Sequence, residues 1–188
     1  CRFIGGARGV LHFTETLGAG SRSEVSVTDC WFQAATFQGV HCQVGLGGYF
    51  DSLTVEGCRF FADGQPADGI AIDGPGAVAI LRRNIIVGGT SGVVIKAFPL
   101  NGGYLARARL EDLLIVGCAE GVTVGPSARP ALIDLARCRL FDNDIGVRVY
   151  GSSPAAATVS LASSLIAGGN DGLWLDTPHL VNANGLTI

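Results

Sequence analysis

Two groups of residues carry side chains that do chemistry. The first is Asp73, Lys96 and His41, with Gln43 beside them. A carboxylate, an amine and an imidazole are the parts of a proton-transfer site. A uronate lyase needs a base near groups that neutralise the substrate's carboxylate, and an inverting glycoside hydrolase needs two carboxyls about 6.5 to 9.5 Å apart. This group offers one carboxylate, and its counterpart in the next repeat is a cation. An ordinary cross-strand ion pair between Asp73 and Lys96, worth about 0.2 to 1 kcal/mol, accounts for it equally well. The second group is Arg148, Tyr150, Trp174 and Asp176. Aromatic faces take the apolar side of a pyranose ring, while a guanidinium and a carboxylate bind its hydroxyls or uronate groups. These four are the candidate substrate-binding residues; Asp73, Lys96 and His41, with Arg148 in support, are the candidate catalytic ones.

A repeat brings these residues together. Its unit reads as two alternating apolar residues, a short turn, a small residue, an apolar residue two further on, a loop, then glycine and a second alternating pair. Val25, Val27, Cys30, Phe32, Gly39, Val40 and Cys42 fill it once, and Leu53, Val55, Cys58, Phe60, Gly69, Ile70 and Ile72 fill it again. The glycine recurs at 9, 39, 69, 92, 121, 146 and 172, so the loops vary in length. Every segment alternates with period two, as strands do, and none shows the 3.6-residue period of a helix. Three short strands per unit make a triangular coil. The predicted architecture is all-β: a single-stranded right-handed parallel β-helix with three sheets and about seven coils. It forms one domain over 1–188, cut from a longer protein, with both ends continuing into further chain.

The register rests on what the interior excludes. Six complete coils with six inward slots each make 36 positions, and none holds Asp, Glu, Lys or Arg, although 15% of the chain is charged and chance would put about five there. An unpaired buried charge costs several kcal/mol, which is why they are absent. In the Gly-Val-x-Val strand the outward residues then form two columns. The first runs Leu11, His41, Ala71, Val94, Thr123, Arg148, Trp174, and the second Phe13, Gln43, Asp73, Lys96, Gly125, Tyr150, Asp176. The loops before the glycine are short and are expected to raise no high wall beside these columns.

Composition removes several function classes. Forty-eight per cent hydrophobic residues fill a continuous core, and 28 glycines suit many tight turns. A net charge of -3 with scattered carboxylates offers no basic face to nucleic acid. No apolar run approaches the roughly 20 residues that span a bilayer.

Cys1, Cys30, Cys58 and Cys138 share one inward slot with Asn84, Leu113 and Ser164. They read as free, packed thiols, because coils about 4.8 Å apart exceed the roughly 3.5 to 4.5 Å between Cβ atoms that a disulfide needs. Asn84 is expected to satisfy turn backbone groups. His12 falls inward beside Cys42 and His41 faces outward, a pair that lacks the ligand number and spacing of a zinc site; neither a metal nor a cofactor is expected. Asp142, Asn143 and Asp144 read as a solvated acidic turn. Outward Ile80, Ile85 and Leu114 suggest an apolar patch for a flanking domain of the same chain.

With these residues in place, the chain resembles the pectin-lyase-like right-handed β-helix superfamily and its β-helix repeat domains. The resemblance implies that the Gly-Val-x-Val strands form the first sheet, whose outer face and loops hold sugars. The expected function is a non-catalytic scaffold or polysaccharide-recognition module of a larger, extracytoplasmic bacterial protein, secreted or at the cell surface, with an extended polysaccharide as its partner. The alternatives are a polysaccharide lyase or glycoside hydrolase acting on uronate-type glycans, and a surface adhesin or tailspike-like stalk.

Overall fold

The computed structural model describes residues 1–14, 23–44, 50–73, 76–96, 105–125, 132–150, 158–175 and 180–188, and every helix or strand assigned among them is a β-strand. The strands stack into three parallel sheets of seven. Sheet I is built from three-residue strands, from Arg2–Ile4 through Trp31–Gln33 and Arg59–Phe61 to Leu165–Ala167. Sheet II holds the glycine-led strands, among them Gln38–Val44, Asp68–Asp73, Ser91–Lys96, Glu120–Val124 and Ile145–Val149. Sheet III runs from Glu24–Thr28 to Leu180–Asn184. The result is the three-sheet parallel β-solenoid that the alternation predicts. In each sheet the two outermost strands have a neighbour on one side only. About five turns are therefore enclosed on both sides, against the about seven coils expected.

The inward slots are those read from the repeat. Leu53, Ile70, Ile72, Leu81, Leu110, Leu113, Ile115 and Ile133 are fully buried in one continuous core. Phe3, Phe32 and Phe60 stack rung on rung with centroids 5.0 and 4.8 Å apart, and Ile86 and Ile115 continue the column. Glycine heads each sheet II strand because a Cβ there has no room: at Gly69 it would stand 2.7 Å from the Gly92 carbonyl oxygen and 2.8 Å from Ile86 Cγ2. Only at the open edge does the pattern relax, with Leu175 40% exposed.

The corner from sheet III into sheet I carries one device on all seven rungs. Asp29, Gly57, Arg83, Asp112, Arg137, Ser163 and Gly185 each have a φ between 50° and 68°. Left-handed backbone is costly for a residue with a Cβ. Here each N–H from Asp29 to Ser163 donates to the carbonyl ending the next rung's sheet III strand, as in Asp112 N–H to Ala136 O at 3.0 Å. The stack therefore holds the turn in place even at Arg83 and Arg137.

Two buried amides satisfy backbone groups of the interior. Asn84 Oδ1 accepts from Cys58 N–H at 2.9 Å and its Nδ2 donates to Val55 O at 2.9 Å, the role expected of it. Asn143 does the same for Cys118 N–H and Ile115 O. It is 2% exposed, so the acidic-turn reading is corrected at its middle residue. The apolar patch expected at Ile80, Ile85 and Leu114 is divided by a corner: Ile80 lies on sheet III, while Ile85 and Leu114 are neighbours on sheet I, and all three are half-buried.

All six cysteines are free. His12 Nε2 lies 3.3 Å from Ser23 Oγ, and among the described residues no three His, Cys, Asp or Glu side chains are grouped to hold a metal.

Candidate functional site

The outer face of sheet II is a groove. Its floor is the first outward column, where His41, Ala71, Val94 and Thr123 are only 2 to 4% exposed. Small side chains make it low, and longer ones on either side make it narrow. One wall is the second column, with Asp73, Lys96 and Tyr150. The other wall is a third outward column, one residue before each glycine: Arg8, Gln38, Asp68, Ser91, Glu120, Ile145 and Asp171, paired in register from rung to rung. Strict alternation counted back from Val40 turns position 38 inward. The glycine bend shifts the phase by one residue and turns it outward instead, so Asp68 and Glu120 escape a period-two reading. The signal was present, since six of those seven positions are polar.

A cavity of about 310 Å³ follows this groove from Gln38 past Asp68, Val94, Lys96 and Thr123 to Tyr150, with Phe37, Pro66 and Thr90 closing one flank. Residues of the loops before the glycine thus line one flank of the groove.

Asp73 and Lys96 face each other in register as predicted. They do not form the expected ion pair. Asp73 Oδ2 instead accepts from His41 Nε2 at 2.7 Å, and Arg8 Nε donates to His41 Nδ1 at 3.1 Å. His41 points outward yet is buried beneath these partners. The Lys96 charge acts on Asp68, whose carboxyl is pushed above the usual carboxylate range by burial. Lys96, Gln38 and Ser91 oppose that push, and Asp73 adds to it. The described residues of this face therefore hold four carboxylates, Asp68, Asp73, Glu120 and Asp171, of which the two-column reading had Asp73 alone.

At the far end Arg148 organises the second predicted group. Its Nη1 donates to Glu120 Oε1 at 2.6 Å, and its guanidinium carbon lies 5.1 Å from the Tyr150 ring centroid and 5.6 Å from that of Trp174. Thr123 Oγ1 donates to the other Glu120 oxygen at 2.5 Å. Arg148, Tyr150 and Trp174 are thus brought together as predicted, with Trp174 42% exposed. Asp176 lies outside the described residues. One face of each ring is given to the guanidinium, so the aromatic pair is a pre-positioned edge to the groove, not a bare platform.

No helix among the described residues is long and apolar enough to cross a membrane. Compared with protein-family models, curated proteins and solved structures, the chain matches none.

Proposed function

We propose that this chain is a non-catalytic polysaccharide-recognition module that takes an extended glycan along the groove of sheet II. The observation that carries the reading is the groove's shape. Five successive rungs line it, from Gln38 to Tyr150, a run of about 19 Å at about 4.8 Å per rung. That is a bed for a linear polymer. Its polar walls supply hydrogen-bond donors and acceptors to ring hydroxyls, Lys96 supplies a cation for an acidic sugar, and Tyr150 and Trp174 close one end. The likeness of the repeat to the pectin-lyase-like superfamily supports the same reading. Extended glycans of this class are met outside the cell, which puts the module on a secreted or cell-surface protein.

An array of neutral and uronate oligosaccharides tests it. Binding is expected, with a loss of about five- to tenfold in Trp174→Ala, the worth of one aromatic contact. No binding across the array, or binding unchanged in both Trp174→Ala and Lys96→Ala, contradicts it.

One observation favours an enzyme instead. Asp68 holds its proton more tightly than an ordinary aspartate, and Glu120, in the same column, is held as an acceptor by Arg148 and Thr123. They stand two rungs apart, about 9.6 Å along the backbone stack, at the upper edge of the spacing for an acid and a base working through a water. Release of reducing ends from a bound glycan, abolished in Asp68→Asn, establishes that reading in place of the first.

A further inference from the structure

Sheet I presents a second surface of different chemistry, and we propose that it docks an acidic amphipathic helix of a partner polypeptide. Its two outward positions on each of seven strands make fourteen, and none is Asp or Glu. One column begins Arg2, Trp31, Arg59, Ile85, Leu114, Arg139, and the other is apolar apart from Gln33. A chain of net charge -3 thus sets three cations on one apolar strip.

These arginines differ from most of the others. Arg82 and Arg83 answer to Glu56, Arg107 to Asp134, Arg137 to Asp112 and Arg148 to Glu120. Arg2, Arg59 and Arg139 are exposed and have no carboxylate partner among the described residues. Arg2 and Arg59 rest 5.7 and 5.8 Å from the Trp31 ring, which stacks on Phe61 at 4.8 Å. Carboxylates begin only at the corners, with Asp29, Asp63, Asp112 and Asp142. Arginine and aromatic residues enriched and acidic residues depleted is the composition of a protein-binding patch, and aliphatic Ile85 and Leu114 at its centre suit a polypeptide better than a sugar ring. A second copy of the same face is unsuitable, because it would set arginine against arginine.

Geometry narrows the partner. Two hollows, of about 280 and 450 Å³, each join an apolar residue to the arginine of the next rung, Trp31 with Arg59 and Leu114 with Arg139, and each has a corner carboxylate at its rim, Asp29 in the first and Asp112, paired with Arg137, in the second. The two arginines are three rungs apart, about 14 Å. Carboxylates eleven residues apart on one face of an α-helix span about 16.5 Å, within reach of both arginines. The strip is two columns wide and about 29 Å long, the footprint of a helix of about 19 residues. The Trp31 indole N–H is buried without an acceptor among the described residues, a donor left for a carboxylate once an arginine turns to its own.

The test uses a labelled 21-residue helical peptide with a leucine stripe flanked by glutamates, and its lysine-for-glutamate counterpart, in fluorescence anisotropy at low and high salt. The acidic peptide is expected to bind and to weaken with salt. Arg59→Glu with Arg139→Glu should cost at least about tenfold and favour the lysine peptide, while Arg109→Ala, an exposed arginine on sheet III, leaves peptide binding unchanged. If the doubly reversed variant fails to fold, Arg59→Gln with Arg139→Gln serves, with a several-fold loss expected. Absence of binding, equal binding of both peptides, or indifference to the arginine substitutions overturns the proposal. Arginine-dependent binding of anionic phospholipid vesicles without peptide binding also overturns it, and assigns the strip to a lipid surface.

Discussion

His41 Nε2 lies 2.7 Å from Asp73 Oδ2, diagonally across adjacent rungs, while Arg8 Nε donates to the opposite ring nitrogen at 3.1 Å. A guanidinium has no acceptor, so Nδ1 must carry the lone pair and the ring proton sits on Nε2, donated to the carboxylate. Asp73 then has one oxygen satisfied and a second, Oδ1, buried with no donor among the described residues. The pair is a polar floor to the groove with one open acceptor.

The tautomer is directly observable. Nitrogen-15 NMR of the folded protein should show His41 Nδ1 as the unprotonated nitrogen, and Arg8→Met should weaken that preference. A ring protonated on Nδ1 contradicts the network. His41→Ala leaves Asp73 without its donor and should cost about 1 to 3 kcal/mol in urea denaturation.

Asn84 and Asn143 each hold two buried backbone groups across neighbouring rungs. Alanine at either site strands a donor and an acceptor, with a cost of about 1 to 3 kcal/mol per stranded group. The two losses should add, because the sites lie more than one rung apart. A change below about 0.5 kcal/mol in the midpoint-derived stability would contradict the role given to these amides.

The fold was legible because each rung repeats the same constraint. Uncharged inward slots and period-two alternation located Val40, Ile70, Val93 and Val122 without any structure, and the structure buries all four. The site was legible only where alternation held. Arg148, Tyr150 and Trp174 follow the glycine in phase and were found together. Asp68 and Glu120 precede it and were lost, because the glycine bend reverses the sense of in and out. His41 was placed on the outer face correctly, yet its burial depends on Arg8 and Asp73 from two other rungs, a relation that spacing alone does not encode. Asn143 was masked by the two aspartates beside it.

Asp68 makes stability depend on pH in a definite sense. Burial raises its carboxyl above the unfolded value of 3.8. Below 3.8 both states are protonated and the contribution is fully present; as pH rises through the folded value, the groove must carry a buried charge and that stability is lost. Thermal melts should show Asp68→Asn more stable than the parent near neutrality, with the gap closing in acid. Lys96→Met should widen the neutral gap. A gap that is constant with pH, or that opens in acid, contradicts this account.

Thiol reactivity should divide the cysteines. Burial pushes Cys42 and Cys118 up to about 12 and Cys58 and Cys138 up to about 11, whereas Cys1 is exposed and Cys30 half-exposed. A thiol-disulfide reagent at mildly alkaline pH should modify Cys1 and Cys30 in the folded protein and all six after unfolding, read by mass spectrometry. Prompt modification of Cys58 or Cys138 without unfolding contradicts the packing described.

The chain-length dependence of glycan affinity tests the central claim most directly. Calorimetric titration with oligosaccharides of increasing length should show affinity rising with each added sugar and levelling once the five-rung groove from Gln38 to Tyr150 is filled. Lys96→Ala and Trp174→Ala should each lower the plateau. Affinity independent of length, or no binding at any length, contradicts a groove built for an extended polysaccharide.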